Sequence, residues 1–266
     1  VIAIDADCNV AQGAIEQLTE CAVATNRPIQ AAYLMEKPAN SNSSKDFISQ
    51  FANIVRNMVR PSGLKRLGIS SPLLGTGMAF PYPVIRSVNV ANSHLLEDLK
   101  LGLDLSLIGF SPIFEPKAKV TAYLPSSSQA AKSQKTRWIH GHLQLIQTYI
   151  PILFKQAVSK KRFDLLLLIL DLCIPPLTLT VIICLSIMAI SLIFALLQAF
   201  WIPAIISFSA GLCLLAALIL AWSKFAIKSI PLKKLLIIPF YIFWKIPVYL
   251  KFIVAPQKAW VRTERK

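Results

Sequence analysis

The chain has 266 residues, 28 lysines and arginines against 13 aspartates and glutamates, a net charge of +15, and 55% hydrophobic residues. That apolar share, with a positive mean hydropathy, excludes an ordinary soluble protein. The charge does not mark a nucleic-acid binder: the basic residues cluster beside apolar segments, as at Lys160, Lys161 and Arg162 and at Lys224, Lys228, Lys233 and Lys234, with no interleaved basic and aromatic motif.

Val1 to Ile4 is a β-branched apolar run that predicts a buried strand ending on Asp5-Ala6-Asp7. A domain that opens on such a central strand is expected to be an N-terminally truncated piece of a longer protein. Residues 11–25 have helical spacing, and Asn26-Arg27-Pro28 stops that helix. Ile29 to Leu34 reads as a second strand. A polar loop over 38–44 follows, with Ser44 as cap of a helix from Lys45 to about Val59. Leu73 to Phe80 predicts a short strand broken by Gly75 and Gly77, where backbone would approach a ligand closely. Residues 94–109 form the next helix, with Glu97 and Asp98 in its first turn. One or two strands over 112–123 and a helix from about Gln129 to Tyr149 complete an alternating α/β pattern.

Residues 163–222 hold only Asp164 and Asp171 as charges. Asp164, Asp171 and the Pro175-Pro176 pair predict an interfacial approach up to about residue 174, then spans over about 176–198 and 202–222. The lysines of 223–234 and the basic run 160–162 belong on the cytoplasmic side, so the two spans form one hairpin. A third apolar stretch, 235–254, is interrupted by Pro239, Lys245, Pro247 and Lys251 and is expected to be an interfacial amphipathic helix ahead of a basic tail. The five cysteines have no C-x-x-C spacing and read as buried thiols of a reducing compartment.

Three clusters carry candidate chemistry. Asp5 and Asp7 at a strand end are hard oxygen ligands suited to Mg²⁺ or Mn²⁺ against a diphosphate, although aspartates also build plain turns. Glu97 and Asp98 could supply a general base, or only complement a helix dipole. Gln134, Arg137, Trp138 and Gly141 stand at i, i+3, i+4 and i+7 on one helix face. Arg137 suits phosphate, and Trp138 suits stacking on a sugar ring; the same face also fits a helix lying on a membrane. His140 and His142 point to different faces and are poor co-ligands of one metal.

The ordered set VIAIDADCNV, LLGTGMAF, LLEDLKLGLDL and QKTRWIHGHL resembles the membrane-bound family 2 glycosyltransferases, which include cellulose, chitin, hyaluronan and exopolysaccharide synthases. The resemblance covers residues 1–150 closely and the membrane tail more loosely. It implies a partial α/β nucleotide-binding domain of the GT-A type over 1–128, a Q-x-x-R-W helix and basic segment over 129–162, the membrane hairpin over 163–222 and a basic cytoplasmic region over 223–266. By the same resemblance Asp5 and Asp7 hold a divalent cation and the donor diphosphate together with Gln134 and Arg137, and Asp98 is the catalytic base. Glu97, Trp138, Gly75, Thr76 and Gly77 line the acceptor side. The implied reaction is inverting transfer from a nucleotide-sugar, UDP-linked by the resemblance, to a saccharide or lipid-linked acceptor, with the catalytic part cytoplasmic at a plasma (inner) membrane. The other class to weigh is a noncatalytic membrane scaffold or transporter component whose carboxylates are structural; ionised pairs within the spans would favour it, and the predicted spans contain none.

Overall fold

A computed structural model of the chain describes residues 1–38, 41–90, 94–125 and 128–235. Five strands, β1 (Ile2–Ala3), β2 (Asn9–Val10), β3 (Ile29–Glu36), β4 (Met78–Ala79) and β5 (Ile113–Tyr123), form one mixed sheet in the order β1-β4-β3-β5-β2. β3 and β5 run parallel, and the other pairings are antiparallel. Ile29, Ala31, Ala32, Tyr33 and Met35 are all buried, as a strand covered on both faces requires. The β3–β5 register jumps from Ala31↔Glu115 to Ala32↔Lys119, so β5 bulges over 116–118. Pro116, which has no N–H to give the ladder, falls inside that bulge. β1 lies at an edge of the described sheet, not at its centre, and the Leu73–Phe80 strand is reduced to the two residues of β4.

Helix α1 (Ala14–Thr25) starts after Gly13 and ends on Asn26, both left-handed at φ 77 and 49. It lays Ala14, Leu18 and Ala22 on the sheet. α2 (Ser44–Ile54) begins one residue earlier than predicted, with Ser43 at the cap position. It does not stop near Val59. The chain widens into a π-helical turn, Val55–Val59, whose i→i−5 bond from Arg60 N–H to the Val55 carbonyl leads into α3 (Arg60–Arg66). Pro61 falls in the first turn of α3, where its missing donor is tolerated. α4 (Tyr82–Arg86) follows β4, and α5 (Glu97–Leu107) carries the Glu-Asp pair in its first turn as predicted.

α6 (Ser128–Ser159) continues ten residues past the predicted end at Tyr149 and through Pro151. Tertiary packing carries it: Leu145, Tyr149, Leu153 and Ala157 are buried against Leu165, Leu168 and Leu172 of α7 (Phe163–Cys173). α7 leaves Phe163, Leu167 and Leu170 exposed, an apolar outer face that fits the predicted interfacial approach. Arg60 fixes α7 to the domain through a 2.8 Å ion pair with Asp171, supplemented by a bond to the Asp171 carbonyl.

α8 (Leu177–Gln198) and α9 (Ile202–Phe225) are two helices long and apolar enough to cross a membrane. They pair through a 2.6 Å Ser191–Ser207 hydroxyl contact and through Gly211, where a Cβ would stand 2.7 Å from Met188 Sδ. Small residues at such a crossing let apolar helices approach without a water-driven force. At the other end of α9, Phe47, Phe51 and Ile54 of α2 pack with Ala221, Ala226, Ile230 and Leu235, the last in α10 (Leu232–Leu235). Cys173 and Cys213 are exposed and Cys8, Cys21 and Cys184 half-buried, so the expected burial of the thiols fails. Two lie on outward faces of apolar helices, where lipid rather than protein would cover them. The predicted interfacial helix and tail lie outside the described residues.

Candidate active site

The turn after β1 is closed backbone to backbone, Cys8 N–H donating to the Asp5 carbonyl at 3.1 Å. Asp5 and Asp7 are both exposed. Ligand atoms of Asp5, Asp7 and Cys8 lie within 4.8 Å of one another. Burial pushes the Cys8 thiol up, and the Asp5 charge adds to it against a bond from Thr76. The donor set is therefore two hard carboxylates beside a protonated thiol, which fits Mg²⁺ or Mn²⁺ better than a soft metal.

Thr76 joins this turn to the second cluster. Its hydroxyl accepts the Asp5 backbone N–H at 2.9 Å and donates to Cys8 Sγ at 3.6 Å. The preceding residue, Gly75, is left-handed at φ +87, and a Cβ there would stand 3.3 Å from Asp98 Oδ2. One loop thus touches the D-x-D turn with one residue and the Asp98 carboxyl with the next. The loop itself is clamped by Gln30, fully buried on β3: its Nε2 donates to the Thr76 carbonyl at 3.0 Å, and its Oε1 accepts the Leu74 N–H at 2.9 Å.

The close backbone approach expected at the glycines is therefore made to protein atoms. Gly75 abuts Asp98, and a Cβ on Gly77 (φ +64) would meet Ala31 Cβ at 2.9 Å and Val120 Cγ2 at 3.0 Å. Gly77 is a packing glycine seated on the sheet.

Asp98 is half-buried and Glu97 exposed. Burial raises the Asp98 carboxyl above the usual carboxylate range, opposed by the Leu99 N–H and the Arg56 charge. A carboxyl shifted upward in this way is the common device for a base that must accept a proton near neutral pH. Arg56 comes from the π-helical turn, with its guanidinium 5.3 Å from the centre of the Trp138 ring. Tyr33 belongs to the same neighbourhood: burial raises its phenol, with the nearby Cys8 and Asp5 adding to that.

From α6, Gln134 is buried and Arg137 and Trp138 are half-buried. Trp138 packs against both the sheet core and the α5–α6–α7 core. Gly141 is not an open patch, because a Cβ there would meet Leu96 Cγ at 2.8 Å and Leu95 Cβ at 3.0 Å. The glycine brings the Q-x-x-R-W helix against the residues that lead into Glu97 and Asp98. His142 sits behind this junction, its ring 3.1 Å from the Leu172 carbonyl and its pKa pushed down to about 4 by burial and by Arg56 and Arg60. Neither it nor the fully buried His140 joins a metal cluster among the described residues.

Sequence reasoning missed Arg56, Gln30 and Tyr33. A guanidinium inside the apolar helix 45–59 was the available signal for Arg56. Gln30 in a buried strand was the signal for the clamp.

The chain thus joins a mixed α/β sheet domain, with carboxylates beyond a strand end, to a long packed helix and two membrane-length helices. The family model of glycosyl transferase family group 2 matches residues 1–254, and the chain belongs to that family. Its reaction class is glycosyl transfer, from a nucleotide-sugar donor to an acceptor.

Proposed function

We propose that the chain is an inverting glycosyltransferase of GT-A type in which Asp98 deprotonates the acceptor hydroxyl and Asp5 and Asp7 hold the donor end. The observation that carries this reading is the Gly75-Thr76 loop, which links the Asp98 carboxyl to the Asp5–Cys8 turn across adjacent residues. Single displacement needs a base at the attacking oxygen and separate charge stabilisation at the leaving diphosphate. Two carboxylate centres on either side of one clamped loop suit that division.

Asp5 and Asp7 would hold Mg²⁺ or Mn²⁺, which supplies positive charge to neutralise the departing diphosphate. Arg137 and Gln134 would orient the diphosphate oxygens by hydrogen bonding. Trp138 would form the wall against the acceptor sugar, steadied by the Arg56 guanidinium beside it. Gly75 would keep the loop thin enough for an acceptor hydroxyl to come up beside Asp98, with Thr76 anchoring that loop to the Asp5 turn and Glu97 at the rim.

The acceptor would be a saccharide or a lipid-linked sugar met at the cytoplasmic face of the inner membrane, with exopolysaccharide or glycolipid synthesis as the setting. The two membrane-length helices and the lysines at 224–234 support that placement. The test is metal dependence of donor binding by the full chain in membranes. UDP-sugar binding should require Mn²⁺ or Mg²⁺, be lost on chelation, and weaken roughly 10-fold or more in the Asp5→Asn/Asp7→Asn double variant, an estimate scaled to charge-assisted contacts. Equal binding by that variant would remove both aspartates from the donor site.

A further inference from the structure

Away from the catalytic loop, a cavity of about 270 Å³ opens where the domain meets the end of α9. That volume is near the lower end of the roughly 300–1,000 Å³ of small-molecule sites. Its wall is amphiphilic. Ile54 and Met58 of the α2 extension and Phe225 of α9 supply the apolar side, and Lys119 of β5 and Lys224 of α9 bring two cations. Among the described residues neither lysine is paired with a carboxylate, although Glu36 also borders the space. Gln50 of α2, 9% exposed, borders the same cavity, and its Oε1 is buried with no hydrogen-bond partner. A buried amide oxygen left without a donor carries its full desolvation penalty, so a ligand carrying a hydroxyl or amine donor is the natural complement.

We propose that this cavity is a phospholipid site, taking an anionic phosphate head with a hydroxyl donor, the phosphate between Lys119 and Lys224 and the donor on Gln50. An anionic head alone would satisfy the lysines, and a polyol alone would satisfy Gln50. The apolar wall and the position at the end of a membrane-length helix add the requirement for attached chains. Lys224 and Phe225 close α9, so a lipid in the adjoining leaflet reaches the cavity without leaving the membrane. Phosphatidylglycerol meets all three demands. An occupied site would fasten α2, and through the π-helical turn Arg56, to the membrane helix. The inference rests on α8 and α9 lying in a membrane and is independent of which sugar is transferred.

The experiment uses the full chain in nanodiscs of phosphatidylcholine doped with phosphatidylglycerol, with retained lipid counted by native mass spectrometry after mild release. Wild type should keep phosphatidylglycerol in preference to phosphatidylcholine. The Lys119→Gln/Lys224→Gln variant, whose two exposed positions leave the core intact, should need about 30-fold more of it, taking each lysine near an anionic headgroup as roughly fivefold. Gln50→Leu should weaken retention while both lysines remain. Equal retention by the double variant overturns the proposal. So does displacement of the lipid by glycerol phosphate at matched concentration, which would make the ligand a soluble phosphate. Carbonate washing separates the two readings: a chain that stays in the membrane yet keeps no phosphatidylglycerol sinks the lipid site alone, and a chain that washes off sinks the membrane placement with it.

Discussion

Arg56 ties the proposed base to the proposed acceptor wall, since its charge acts on Asp98 while its guanidinium lies over Trp138. Burial raises the Asp98 pKa against the lowering effects of the Leu99 N–H and the Arg56 charge, and burial is the larger. Glu97 acts on Asp98, Arg60 and Tyr33 act on Arg56, and Arg56 acts in turn on His142. Removing Arg56 therefore raises the carboxyl further, and the acid limb of kcat/KM should move to higher pH in Arg56→Met and return toward wild type in Arg56→Lys. A limb that stays in place while activity falls would reduce Arg56 to packing. The stability sign runs opposite to activity: because the folded pKa of Asp98 is raised, its stabilising contribution is fully present below the unfolded value and is lost as pH rises through the folded one. At residue scale the sequence exposed what is local. The D-x-D, Glu-Asp and Q-x-x-R-W patterns are each readable within a few positions. Arg56 and Gln30 were not, because their partners lie 82 and 44–46 residues away and nothing in their neighbours reports a tertiary contact.

Among the elements, the α5–α6 junction governs whether the proposed base and the Trp138 face are held together. Gly141 is the point of closest approach, and the space a methyl group would need is occupied by Leu95 and Leu96. Gly141→Ala should push α6 away from the start of α5, destabilising the fold by about 1–3 kcal/mol as an overpacked contact and lowering transfer more than donor binding. Thermal unfolding and kcat measured on the same preparation would test this, and an unshifted Tm with full activity would show that the helices have slack. Element existence was legible from periodicity, and the limits of α1, α8 and α9 fell within a few residues of expectation. The helices expected to end near Val59 and Tyr149 both run on, the first through a π-helical turn into α3 and the second through Pro151 on the burial of Leu153 and Ala157. That packing exists only in the assembled fold.

Across the described residues, the Gly75-Thr76 loop, the Q-x-x-R-W helix and the membrane-length pair form one connected unit. α6 and α7 share a core, Arg60 holds Asp171 of α7, and α2 packs on the end of α9. The overall plan, a soluble α/β part and then apolar helices, was visible in composition alone because charge nearly vanishes over 163–222. The links through Thr76, Gly75 and Arg56 were not visible, since spacing along the chain carries no distance across a fold. The central claim is that Asp98 acts as base opposite a donor held by Asp5 and Asp7, and the direct measurement is sugar transfer and UDP-sugar binding by Asp98→Asn in membranes with Mn²⁺. The account predicts donor binding within about twofold of wild type and transfer slower by roughly 10²–10⁴-fold, the range for losing a general base. Unchanged transfer would contradict it.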